Sequence, residues 1–84
     1  MKKIEIYSIP NCPYCVKAKE AFDKNGFEYV NYTVDGKNVT KQQIQDRVNA
    51  LGVPVQIKTV PQIFIDDKYV GGHSELVAQF PWAS

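Results

Sequence analysis

Asn11-Cys12-Pro13-Tyr14-Cys15-Val16-Lys17-Ala18-Lys19-Glu20-Ala21-Phe22 (NCPYCVKAKEAF, residues 11–22) holds both cysteines of the chain, and its flanks place them where a strand gives way to a helix. Upstream, Lys3-Ile4-Glu5-Ile6-Tyr7 alternates polar and apolar residues, the period of a strand. Within the stretch, Pro13 suits the first helical position, where its missing N–H would have no partner anyway. Ala18, Ala21 and Phe22 recur at helical spacing, and Glu20 with Lys24 makes an i,i+4 pair on the exposed side. Asn25-Gly26 stops the helix, because glycine accepts the left-handed conformation of a C-terminal cap.

Working outward, Phe27 to Val34 is rich in aromatic and β-branched residues and predicts a second strand, turned by Asp35-Gly36. Thr40-x-x-Gln43 has capping-box spacing, with Val39 and Ile44 placed as a hydrophobic staple. Ile44, Val48 and Leu51 then line one helical face until Gly52 and Pro54 end it. Val60 to Ile65 and Lys68 to Val70 predict two short strands joined as a hairpin through Asp66-Asp67. Gly71-Gly72 opens a last helix from about Ser74, which Pro81 terminates. The order is β-α-β-α-β-β-α: a parallel βαβ unit with a right-handed crossover, then an antiparallel edge. That predicts an α/β domain of two or three layers. No repeat, low-complexity tract or Gly/Ser linker divides it, so residues 1–84 are expected to form one domain.

The chain of 84 residues has room for one modest core. Its formal net charge is +1 with acidic and basic residues intermixed, which argues against a nucleic-acid partner. Met1-Lys2-Lys3 resembles the charged start of a leader, but Glu5, Ser8, Pro10 and Asn11 break the apolar stretch behind it. No apolar run approaches membrane-spanning length. The expectation is a cytoplasmic protein without a membrane partner. Two cysteines are too few for a secreted disulfide scaffold, and a close pair in a cytosolic chain is more often catalytic or metal-binding.

A thiol is a poor nucleophile until it ionises. Helix N-termini carry unpaired N–H groups and about half a unit of positive charge, which favour the thiolate. Cys12 at the cap lies where the amides of Tyr14 and Cys15 can point at its sulfur, while Cys15 sits one turn further in and less exposed. That asymmetry suits one attacking and one resolving thiol. Three other readings stand beside it. The cysteines could be plain core residues, although Pro13 and Asn11 place Cys12 at the helix entrance. They could bind zinc, although tetrahedral coordination needs about four ligands and the chain adds only one distant histidine. An iron–sulfur cluster could bridge two subunits through Cys12, with external thiols completing its ligands.

Cys12-Pro13-Tyr14-Cys15, Thr59-Val60-Pro61-Gln62-Ile63-Phe64-Ile65 and Gly71-Gly72 stand in the order and approximate spacing of dithiol glutaredoxins of the CPYC type, a branch of the thioredoxin superfamily. The resemblance runs from Ile4 to about Leu76. It implies a thioredoxin fold with a mixed four-stranded sheet flanked by helices. It also implies glutathione as co-substrate with no bound cofactor or metal, and disulfides or glutathione mixed disulfides as substrates. By resemblance, Cys12 is the nucleophile and Cys15 resolves. Pro61 resembles the family's cis-proline, which presents the Val60 backbone to an extended substrate beside Thr59. Gly72, His73 and Ser74 close the glutamyl end behind Gly71, with Pro13 structural and Tyr14 either along the substrate backbone or only covering the motif. His73 is expected as a backbone donor and Trp82 as a packing residue or a tail. The short length and the long loop before Thr59 also look similar to bacteriophage members, which serve ribonucleotide reductase. A monomer acting on disulfide-containing client proteins is expected.

The chain departs from the family pattern at three places. Many dithiol members carry lysine where this chain has Ile9, and aspartate where it has Ser74. The connection Val53–Lys58 is longer than in many members, and Lys58 beside Thr59 is either a replacement cation for a glutathione carboxylate or an outward, solvated lysine. Besides glutathione-dependent exchange, the sequence leaves a glutaredoxin-like electron donor recharged by thioredoxin reductase, and a dimeric iron–sulfur carrier.

Overall fold

The structure, a computed structural model, describes residues 3–83. Its elements are β1 (Ile4–Ser8), α1 (Pro13–Lys24), β2 (Tyr29–Thr33), α2 (Lys41–Ala50), β3 (Gln62–Ile65), β4 (Lys68–Gly71) and α3 (His73–Gln79), then a 3-10 turn at Pro81–Ala83. Strand boundaries lie one or two residues from those expected, and Val60 and Pro61 fall outside β3. The four strands form one sheet in the order β2-β1-β3-β4. β1 runs parallel to β2, from Ile4 opposite Tyr29 to Ser8 opposite Thr33, and antiparallel to β3, from Ile4 opposite Ile65 to Tyr7 opposite Gln62. β4 closes the hairpin antiparallel to β3, with Asp66 and Asp67 at φ +54° and +63° in the turn. Positive φ at both central positions is the two-residue turn whose twist matches the strands.

The period of two sorts side chains onto two faces and makes three layers. Ile4 and Ile6 of β1 and Ile63 and Ile65 of β3 pack with Ala18, Ala21 and Phe22 of α1 and Leu76 of α3. Phe64 faces the other way, onto Ile44 and Val48 of α2 and Ile57. Trp82 belongs to the first layer, its ring 4.8 Å from Phe27 and its carbonyl accepting the Asn25 side-chain amide at 3.0 Å. Both long helices close on a glycine. After α1, Gly26 (φ +72°) lets the Phe27 amide reach the Phe22 carbonyl; after α2, Gly52 (φ +76°) does the same for Val53 and Val48. This closure corrects the expected position of Leu51. The chain swings back at Gly52, so Val53 joins the α2 core group and Leu51, at the cap, is left 45% exposed. Glu20 and Lys24 make no ion pair among the described residues.

Alternation alone puts Glu5 on a polar face, yet it is 6% exposed beneath α2. Arg47 of α2 makes that burial tolerable. Its two terminal nitrogens donate to the two Glu5 carboxylate oxygens at 2.8 and 3.1 Å, and one also reaches the Tyr7 hydroxyl at 3.2 Å. The guanidinium lies 4.0 Å above the Phe64 ring. Hydrogen bonding to Glu5 is the main cause holding the Arg47 pKa above its ordinary value. One side chain therefore clamps α2 to the two central strands.

Candidate active site

β1 delivers the chain to the thiols through a short turn in which Asn11 takes φ +61°. Cys12 then has extended backbone (φ −102°, ψ 108°) and is the N-cap of α1, with Pro13 at the first helical position. The Cys15 amide donates to Cys12 Sγ at 3.2 Å; of the two amides expected at that sulfur, it is the one that makes this bond. The two cysteines are joined as a disulfide with 5.2 Å between their Cα atoms. Cys12 retains 9% exposure and Cys15 1%. Across from α1, the Val60 carbonyl oxygen stands 3.8 Å from Cys12 Sγ, and the Val60–Pro61 peptide is cis.

A groove of about 250 Å³ opens beside this pair. Thr59, Val60 and Pro61 line one side, Gly72, His73 and Ser74 the other, and Tyr14 stands at its rim. The Tyr14 ring is 5.7 Å from the His73 ring, with Lys17 Nζ 5.4 Å from the Tyr14 centroid. So the structure brings together most of the residues singled out from the sequence. Lys58 is not among them: it is exposed and does not line the groove. A side chain would clash at Gly71 and be crowded at Gly72. Gly71 has φ +120°, and a Cβ there would fall within 2.8 Å of the Glu75 side chain. A Cβ on Gly72 would lie 3.3 Å from the Pro61 carbonyl oxygen, so the start of α3 approaches the opposite wall main chain to main chain.

Sequence reasoning passed over Glu75. Its carboxylate lines the groove and accepts the Gly72 amide at 2.9 Å, closing the first turn of α3. The signal was present, since Gly72-x-x-Glu75 has the same spacing as Thr40-x-x-Gln43, which does form its capping box. Burial first, and the Glu75 charge second, push the Tyr69 hydroxyl above its ordinary pKa and keep it a neutral donor. A somewhat larger cleft, about 280 Å³, lies behind His73 between Lys17, Lys24 and Trp82, away from the thiols. Among the described residues no group of three or more His, Cys, Asp and Glu is arranged to hold a metal ion, and no helix is long and apolar enough to cross a membrane.

Chemically, the arrangement offers a sulfur at a helix start, a second sulfur within disulfide reach, and the Val60 main-chain carbonyl beside them. A sulfur favoured as thiolate, with a second sulfur placed to displace a mixed disulfide, suits thiol–disulfide exchange. Comparison with known proteins points the same way. The glutaredoxin family model matches residues 4–70. Glutaredoxin 1 of Salmonella typhimurium is 39% identical over 83 residues, covering 93% of this chain and 86% of that protein. The crystal structure of glutaredoxin 1 from Francisella tularensis, complexed with cacodylate, superposes with a TM-score of 0.78 at 40% identity, covering 94% of this chain and 92% of that one. A buckwheat glutaredoxin–glutathione complex superposes with a TM-score of 0.71 at 25% identity, covering 95% and 69%. The narrower likeness to bacteriophage members gains no support from these matches.

Proposed function

Because the chain belongs to the glutaredoxin family, with its thioredoxin fold, and is a thiol–disulfide oxidoreductase, we propose that it reduces protein disulfides and glutathione mixed disulfides with electrons from glutathione. The Cys12 thiolate attacks one sulfur of the substrate disulfide, forms a mixed disulfide and expels the other sulfur as a thiolate that takes up a proton. Cys15 then displaces the substrate sulfur, leaving Cys12 and Cys15 oxidised. Two glutathione molecules return the pair to dithiol and leave as glutathione disulfide. The observation that carries this is the position of Cys12 Sγ, between the Cys15 amide at 3.2 Å and the carbonyl of the groove-lining Val60 at 3.8 Å.

Within that groove, Val60 offers main-chain pairing to an extended segment whatever its side chains, a short form of strand addition. His73 and Ser74 take the glutamyl carboxylate, and Glu75 supplies a charge for its ammonium. Lys58 reaches the glycine-end carboxylate only by extending its side chain from outside the groove. The chain acts as a single monomeric domain on disulfide-bearing clients of the cytoplasm, ribonucleotide reductase being one candidate. One observation favours a different reductant: Ile9, 42% exposed and three residues before Cys12, offers no cation to glutathione. A coupled assay decides. With a glutathionylated peptide, NADPH oxidation should be fast with glutathione and glutathione reductase, and slow with thioredoxin reductase alone. The reverse ranking sinks the glutathione reading.

A further inference from the structure

Residues 53–60 form neither helix nor strand, yet they end at the backbone that faces Cys12. A strand neighbour would hold such a segment; here two glutamine side chains do. Gln45 of α2 donates to the Val55 carbonyl and accepts the Ile57 amide, each at 2.8 Å, which is the pairing an adjacent strand would give. Gln62, at the start of β3, donates through Nε2 to the Thr59 carbonyl at 2.8 Å and accepts the Tyr69 hydroxyl on Oε1 at 2.7 Å. Gln62 is 5% exposed. Its amide has one consistent orientation. The Thr59 carbonyl can only accept, so Nε2 must face it; Oε1 then faces Tyr69, which must donate.

We propose that Gln62, oriented by Tyr69, is a positioning residue that fixes the Thr59–Val60 backbone in register for substrate, with Gln45 anchoring the same segment two residues earlier. The inference rests on the reading of the groove as the substrate site. It assigns a role in recognition to a side chain that lies outside the groove lining and touches no reacting atom. A buried amide left unmatched against the Thr59 carbonyl would let Val60 drift, and pairing with an extended substrate depends on both Val60 groups being held in line.

The isosteric Gln62→Glu variant tests this through pH. When ionised, its carboxylate sets an oxygen without a proton against the Thr59 carbonyl; when protonated, it donates and restores the bond. At pH 8.5, kcat/KM for a glutathionylated peptide should fall about fivefold or more below wild type, chiefly through KM. The variant-to-wild-type ratio should climb back towards one at pH 5.5, a comparison that cancels the titration of Cys12 itself. Alkylation of the reduced protein by iodoacetamide, which needs no backbone pairing, should match wild type throughout. Tyr69→Phe should raise KM in the same direction by less, without the pH dependence, and it decides the matter if Gln62→Glu does not fold. A ratio that stays flat with pH, or an unchanged KM in Tyr69→Phe, overturns the inference. A wild-type protein that does not turn over the peptide at all overturns the groove reading beneath it.

Discussion

Replacing Arg47 by methionine keeps an unbranched apolar stem over Phe64 but removes the guanidinium from Glu5, whose side chain is 8% exposed. The stranded carboxylate has two ways to respond. Staying charged in that site costs about 3–5 kcal/mol, the usual penalty for breaking a buried pair from one side. Taking up a proton costs about 1.4 kcal/mol for each pH unit above the ordinary glutamate value of about 4.3, hence about 3.7 kcal/mol at pH 7 and about 1 kcal/mol at pH 5. The cheaper route sets the loss. We expect about 3–4 kcal/mol at pH 7, a large share of the roughly 5–15 kcal/mol that holds a domain together. The sign follows from linkage: the folded variant binds a proton that its unfolded chain does not, so its stability falls as pH rises. Urea unfolding followed by circular dichroism at pH 5, 6 and 7 measures this, and the deficit should shrink to about 1–2 kcal/mol at pH 5. A double variant with Glu5 also changed to methionine should recover most of the loss at pH 7. An equal deficit at pH 5 and pH 7, or a double variant no better than the single one, would refute the reasoning.

Four further outcomes follow from the site and its surroundings. The alkylation rate of reduced Cys12 should inflect below the ordinary thiol value of about 8.5, because the helix-start amides stabilise its charge; an inflection at or above that value removes the junction argument. Cys12→Ser should abolish all exchange, whereas Cys15→Ser should keep deglutathionylation, resolved by free glutathione, and lose the two-thiol reduction of protein disulfides; equal loss of both in Cys15→Ser contradicts the assigned roles. Lys58→Ala should weaken glutathione use several-fold at low salt and less at high salt, as a screened surface charge would, and unchanged kinetics at both would exclude Lys58. Asp35 accepts the Lys37 and Asn38 amides at 2.8 Å, and chiefly the Lys37 bond holds its carboxyl below the usual range. Its contribution is therefore present above about 3.9 and lost as pH falls through the depressed value, so Asp35→Asn should flatten the acid limb of stability between pH 4 and 2; an unaltered limb would show that the turn does not depend on that charge.

Most of the architecture was legible because local rules acted without opposition. Pro13, Gly26, Thr40-x-x-Gln43 and Asp66-Asp67 each specify backbone from within a few residues, and the structure carries the helix start, stop, cap and turn they imply. What escaped was decided across the chain. Glu5 looks like a solvent-facing strand residue until a helix forty-two positions later supplies Arg47. Leu51 fits the helical period of Ile44 and Val48, but a glycine cap redirects the chain before that period can be used. Lys58 is near Thr59 in sequence, and adjacency cannot say whether a side chain turns into a groove or away from it. Glu75 and Gln62 were missed for another reason. They act by satisfying backbone groups of a wall, and no motif of thiol chemistry marks that task.

Where Gly72 meets Pro61, the two walls come close enough that a Cβ on Gly72 would stand 3.3 Å from the carbonyl oxygen. Walls made of peptide groups do not change when a codon changes. Substitutions at His73, Ser74 or Thr59 can alter the side chains that line the groove, while the main-chain spacing between Gly72 and Pro61 stays constant. Gly72 is the exception, because its first added carbon would press within 3.3 Å of the Pro61 carbonyl oxygen and one of the two would have to give.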